Sequence, residues 1–124
     1  MKRLVLKSWW LLLYFEAIMR VSDFKALHLR VSKEPVRRCK ETAITPEALN
    51  HAMDLACVFY FKQVLCLQRS AATTLLFRRY GFPAEMLIGA QMLPFKSHAW
   101  VEVGEAVVND KPYMREIYQA LDRC

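Results

Sequence analysis

Residues 98–110 read His98-Ala99-Trp100-Val101-Glu102-Val103-Gly104-Glu105-Ala106-Val107-Val108-Asn109-Asp110. In an extended chain, successive side chains point to opposite faces. Ala99, Val101 and Val103 therefore fall on one face, and His98, Trp100 and Glu102 on the other. Gly104-Glu105 offers a turn, and residues 106–109 return as a second strand. The stretch reads as an antiparallel hairpin that carries a histidine opposite its small apolar residues.

The elements upstream follow from this hairpin. Residues 85–93, rich in Met, Leu and Ile, read as a further strand broken at Pro94-Phe95-Lys96. Residues 66–80 read as a helix stopped by Gly81 and Pro83. Thr45-Pro46-Glu47 is a helix start: Thr caps, Pro suits the first helical position and Glu suits the positive dipole end. That helix is expected to reach about residue 61. Residues 31–45, with Pro35 and mixed charge, read as a connection. Residues 3–29 read as helix, broken near Ser22-Asp23, with Asp23 as the cap of a second short helix. Residues 112–121 are expected to be a short helix or an irregular tail. The fold class is α+β. An N-terminal helical region and connection cover residues 1–45, and a core covers residues 46–124.

The length of 124 residues suits one small domain. Few glycines and 24% charged residues argue against disorder. The net charge of +6 makes an acidic partner reasonable, but the basic residues are dispersed and no nucleic-acid reading motif is present. Nucleic acid is therefore not an expected partner. The cysteines Cys39, Cys57, Cys66 and Cys124 form no CxxC pair, so neither a metal nor a cofactor is expected. Met1-Lys2-Arg3 precedes apolar residues, but the charge-free stretch 8–15 is followed by no small-residue cleavage site. It is also far short of the roughly 20 apolar residues that span a bilayer. A reduced, cytoplasmic chain without a transmembrane segment is expected.

The order of elements permits nucleophilic chemistry. Cys66 stands where a helix begins, after Val64-Leu65. Unpaired N–H groups and the helix dipole favour a thiolate there. An imidazole can take the thiol proton, and a third polar group can fix its tautomer. The first-turn N–H groups could also hold an oxyanion. Taken alone, such residues are more often an inert core cysteine and a structural or surface histidine.

Cys66-Leu67-Gln68-Arg69-Ser70-Ala71-Ala72, Ile88-Gly89-Ala90, Pro94 to Glu102 (PFKSHAWVE) and Val108-Asn109-Asp110 occur in this order. Together they resemble the leader peptidases of bacterial lasso-peptide biosynthesis, which are transglutaminase-like cysteine proteases. The similarity is close over about residues 60–110 and loose over the helices before them. It implies a transglutaminase/papain-like core, with Cys66 as nucleophile, His98 as base and Asp110 as the third member. It also implies a precursor peptide as substrate, a separate leader-binding protein, and an ATP-dependent macrolactam synthetase acting afterwards.

Strand parity tests the third member. With a plain two-residue loop, Asn109 would share the His98 face and Asp110 would point away. Asp110 therefore calls for an odd loop or bulge between residues 103 and 108, and Asn109 is its substitute. Gln63 and Gln68 could donate to an oxyanion, although a solvated helix face is the simpler expectation. Arg69 and Ser70 are expected to serve packing or the helix start. Trp100 could shield the imidazole or simply pack, and Glu102 is expected at the surface. His28 and His51 are expected to be solvated or satisfied, and Cys39, Cys57 and Cys124 receive no role. Acyl transfer to an amine on the same triad, or a non-catalytic precursor-binding scaffold, remain the alternatives.

Overall fold

Neither Gly nor Pro interrupts the first twenty helical residues, and their apolar residues recur at helical spacing. Helix α1 spans Lys2–Val21 and buries Leu4, Ser8, Leu11, Leu12 and Phe15 along one stripe. Within that stripe the Ser8 hydroxyl donates to the Leu4 carbonyl at 2.7 Å. Helix α2, Phe24–Lys33, begins where Asp23 accepts from the Ala26 N–H at 3.1 Å. Helix α3, Pro46–Phe59, begins where the Thr45 hydroxyl accepts from the Ala48 N–H at 3.1 Å. Helix α4 is Cys66–Arg79, and Ser70 to Arg78 are buried all round. The computed structural model describes residues 2–37, 44–92, 95–104, 106–109, 114 and 118–124.

Four antiparallel strands follow: β1 Ala84–Met92, β2 Phe95–Val103, β3 Ala106–Val107 and β4 Gln119–Arg123. Their order in the sheet is β3-β2-β1-β4. The β1–β2 register pairs Ala84 with Val103, Met86 with Val101 and Ile88 with Ala99. Ala84, Met86 and Val101, with Ile88 and Val103 at the margin, join Leu12, Phe15, Leu27, Leu49, Met53, Leu75 and Phe77 in one helix–sheet core. The alternate residues Leu87 and Trp100 form a second, smaller cluster with Met114, Val107 and Tyr118. The sheet thus has an inner face against the helices and an outer face with its own apolar cover.

The architecture is the expected α+β order of helices before sheet, but β2 begins at Phe95, within the expected break at residues 94–96, and three further details differ. First, α2 continues to Lys33, past the expected start of the connection at residue 31. It stops at Glu34, whose extended backbone (φ −74°, ψ 119°) is what a following proline favours. Second, the strand expected over 106–109 is only two residues long. Third, the stretch expected to end as helix or tail contains β4, which pairs with β1. Gln119-Ala120-Leu121-Asp122-Arg123 has neither β-branched nor aromatic residues, so its strand state comes from a free β1 edge rather than from propensity.

The far end of α4 is fastened by buried polar groups. The Arg78 Nε donates to the Ala84 carbonyl, and its Nη1 donates to the carbonyls of Val31 and Glu34. One guanidinium therefore joins α2, α4 and the start of β1. Beside it, Glu34, 7% exposed, receives Arg30 at 2.9 Å and Arg79 at 3.0 Å. Burial works to raise the Glu34 carboxyl, but the hydrogen bonds from Arg79 and Arg30 outweigh it and hold the group below its ordinary value. Its contribution to stability is therefore complete above the ordinary carboxylate pKa, and is lost as pH falls through its own lower one. Glu34→Gln should cost about 1–2 kcal/mol at pH 7 and flatten the decline in acid. Urea midpoints of both proteins from pH 7 to pH 3 check this; parallel curves would refute it.

Candidate functional site

Cys66 is the first helical residue of α4, and its side chain is exposed. Leu65 before it is extended (φ −77°, ψ 151°) and provides no side-chain cap, so the first-turn N–H groups are left uncapped by it. An exposed thiol at such an end is open to an approaching substrate. Cys57 differs: it is half-buried, and burial pushes its thiol up, away from reactivity.

Three consecutive side chains fasten the helix behind Cys66. Successive helical residues point about 100° apart, so they reach in three directions. The first is Gln68, which is 1% exposed. Its Nε2 donates to the Leu12 carbonyl of α1 at 2.7 Å and to the Tyr60 hydroxyl at 3.4 Å, and its Oε1 accepts from the Leu65 N–H at 3.4 Å. Neither a solvated role nor an oxyanion role fits: the amide is buried and occupied. Gln63, in contrast, is exposed. Arg69 forms an ion pair with Asp54 of α3. Ser70, also 1% exposed, accepts from Asn109 Nδ2 at 3.2 Å.

The hairpin corrects the expected bulge. Its loop has two residues, with Val103 opposite Ala106 and Glu102 opposite Val107. The Val108 N–H still donates to the Val101 carbonyl at 2.9 Å. The ladder then ends: the Val101 N–H donates to Asn109 Oδ1 at 2.7 Å, a side chain standing where a backbone carbonyl would. Parity therefore carries no further than the last paired residues and does not decide the direction of residue 110. Asp110 lies outside the described residues, as does Cys39. Asn109 does not serve the imidazole as the alternative required; its amide joins Val101 to Ser70.

His98 lies on β2, half-buried, on the outer face of the sheet. Its ring stacks on Tyr118 at 5.4 Å and 23°, and on Trp100 at 6.4 Å and 19°. Trp100 is fully buried and its indole N–H donates to Glu102 Oε2 at 2.9 Å. Glu102, expected at the surface, is 1% exposed, because residues two apart on a strand share a face and the indole draws the carboxylate inward. The structure thus brings together the elements that carry the candidates, with α4 packed on the inner face of β2. The Cys66 thiol sits at the end of that inner layer and the His98 imidazole on the outer face. Sequence reasoning missed Tyr118; only its aromatic character near the C-terminus pointed to it. His28 is half-buried and His51 exposed. Among the described residues, no three His, Cys, Asp or Glu side chains cluster to hold a metal, and no helix is long and apolar enough to cross a membrane.

Gly89 lies opposite His98 in the ladder. A Cβ there would meet the Trp100 ring at 2.7 and 2.8 Å and the Gln119 carbonyl at 2.9 Å. The glycine is what lets the indole and β4 close over the strand. Gly89→Ala should destabilise the protein by about 1–3 kcal/mol through overpacking, read as a lower thermal midpoint; an unchanged midpoint would refute the close approach.

A family model described as the transglutaminase-like superfamily matches residues 9–123. The Microcin J25-processing protein McjB of Escherichia coli is 43% identical over 51 residues, which make up 41% of this chain and 24% of that protein. The match supports the similarity to lasso-peptide maturation proteins read from the sequence. No solved structure matches.

Proposed function

The chain belongs to the transglutaminase-like superfamily, and from that premise we propose that it is a cysteine peptidase that removes the leader from a lasso-peptide precursor. Cys66 is the nucleophile of this reading, His98 its base and Asp110 the residue that orients the imidazole. The observation that carries the proposal is an exposed thiol at the start of a buried helix, in a chain that is similar in part to a lasso-peptide maturation protein.

The chemistry is acyl transfer to sulfur and then to water. The Cys66 thiolate attacks the carbonyl carbon of the junction peptide bond while the imidazolium holds the thiol proton. Collapse of the tetrahedral intermediate expels the amine, which takes that proton, and leaves the leader as a thioester on Cys66. Water then adds, its proton passing to the imidazole, and the leader carboxylate departs. On this reading the first-turn N–H groups of α4 receive the oxyanion in both steps. This reading requires the imidazole of His98, stacked on Tyr118 and Trp100, to come within hydrogen-bond reach of the Cys66 thiol when substrate is bound.

The same placement of His98 favours a second reading, a precursor-binding scaffold without catalysis. One experiment separates the two. A lasso-peptide precursor is incubated with this protein and a leader-binding protein, and the products are weighed by mass spectrometry. Cys66→Ala and His98→Ala should each lower cleavage by at least about 10³-fold with the fold retained. No cleavage by the unaltered chain supports the scaffold, and full cleavage by Cys66→Ala refutes the nucleophile. An added amine that captures the leader as an amide would mark acyl transfer instead.

On this reading a separate leader-binding protein raises the local concentration of substrate at the site. On this reading it docks on the N-terminal helix. Leu6 and Trp10 of α1, and Phe59 and Phe61 at the end of α3, are exposed large apolar side chains on the helical layer. Val5, Leu6, Trp9, Leu55 and Phe59, with Lys2, line a groove of about 610 Å³ between α1 and α3. Leu6→Glu with Phe59→Glu should weaken binding of the leader-binding protein about tenfold or more, measured by calorimetry; unchanged affinity would refute this docking site.

A further inference from the structure

We infer that Asn109 is a positioning residue, a clamp between the nucleophile helix and the strand that carries the base. The inference rests on the active-site reading of Cys66 and His98 and adds a residue to it. Three observations carry it. Regular pairing of the hairpin stops after Glu102–Val107 and Val103–Ala106, and at the next step Asn109 Oδ1 takes the Val101 N–H at 2.7 Å. The Nδ2 of the same amide donates to Ser70 Oγ at 3.2 Å, across 39 residues of sequence. Ser70 is 1% exposed and lies four residues after Cys66, on the same side of α4.

The geometry makes the amide specific. Val101 presents a donor and Ser70 an acceptor, so one side chain must accept at one end and donate at the other. Asn does both within a planar, short group. Ala would leave the Val101 N–H and the Ser70 hydroxyl without this partner in a closely packed place. Val101 is three residues from His98 along β2, and Asn109 directly precedes Asp110 in the chain. The clamp therefore ties the helix that Cys66 opens to the strand that carries His98. Its loss should alter their relative placement more than it alters substrate binding, because its contacts are internal to the protein.

That difference is measurable as a split between kcat and KM. The full chain and its Asn109→Ala, Ser70→Ala and double variants are assayed with a fluorogenic peptide spanning a lasso-precursor leader–core junction. Thermal midpoints are measured alongside. Asn109→Ala should lower kcat by about 10- to 100-fold, the scale of a small misplacement of reacting groups, with KM changed less than about twofold. Ser70→Ala keeps the Val101 bond and should lower kcat by a smaller factor, roughly three- to tenfold. The double variant should be no worse than Asn109→Ala, since both changes break one link.

Wild-type kcat in both single variants would overturn the clamp, and so would losses that add in the double variant. If Asn109→Ala fails to fold, Ser70→Ala decides: a lower kcat with unchanged KM supports the clamp, and an unchanged kcat refutes it. Cys66→Ala is run in parallel. Its full activity would remove the peptidase reading itself, whereas an inactive Cys66→Ala beside fully active clamp variants removes only the clamp.

Discussion

The start of α4 is held by a buried amide. Gln68 lies almost wholly inside the helical layer, where an unpaired amide would cost about 1–3 kcal/mol for each group left without a partner. Its contacts with the Leu12 carbonyl, the Tyr60 hydroxyl and the Leu65 N–H fix α1, the end of α3 and the first residue before α4 relative to one another. Burial is the chief influence that pushes the Tyr60 phenol up, keeping that hydroxyl protonated within the network. The helix then has little freedom to slide or turn without stranding a polar group. Arg69 on Asp54 and Ser70 on Asn109 extend the same constraint toward α3 and the hairpin. Arg78 fastens the opposite end to α2 and β1. Polar fastening at both ends holds a helix whose middle, Ala71 to Phe77, is buried all round, with Thr73 and Thr74 among its small and apolar residues.

The sheet divides its labour between two faces. The inner face continues the helical core with Ala84, Met86 and Val101. The outer face is a thinner aromatic layer, in which His98, Trp100 and Tyr118 lie at centroid distances of 5.4–6.4 Å. This layer depends on a missing side chain at Gly89 and on the indole bond to Glu102. The C-terminal strand β4 closes it from one side by adding to the β1 edge. The imidazole is therefore set by contacts from a part of the chain about twenty residues further on, and its surroundings are not local to the HAWVE segment.

Much of the helical layout was legible in the residues. Asp23 and Thr45 cap as their short oxygen-bearing side chains allow, Pro46 opens α3, and Pro35 and Gly81 stand just beyond the ends of α2 and α4. These are one-turn effects, decided by neighbours within four residues. The strand alternation of 98–103 was legible for the same reason. The extent of the return strand was not, because the Asn109 side chain ends the ladder by a bond to Val101 and a second to α4. Glu102 and Gln68 were misread as surface residues, since a polar side chain reveals its burial only through partners such as Trp100 and Leu12, which lie across a strand face or 56 residues away.

By itself, then, the sequence determined the α+β order, the helix starts, the candidate residues Cys66, His98 and Asp110, and the family resemblance, because propensity, capping and motif order are local properties of the chain. Tertiary structure alone decided which polar groups are buried, that β4 pairs with β1, and which layer each candidate occupies. Cys66 opens the inner helix and His98 takes the outer face of β2, because sheet register and the packing of α4 are set by contacts between distant segments.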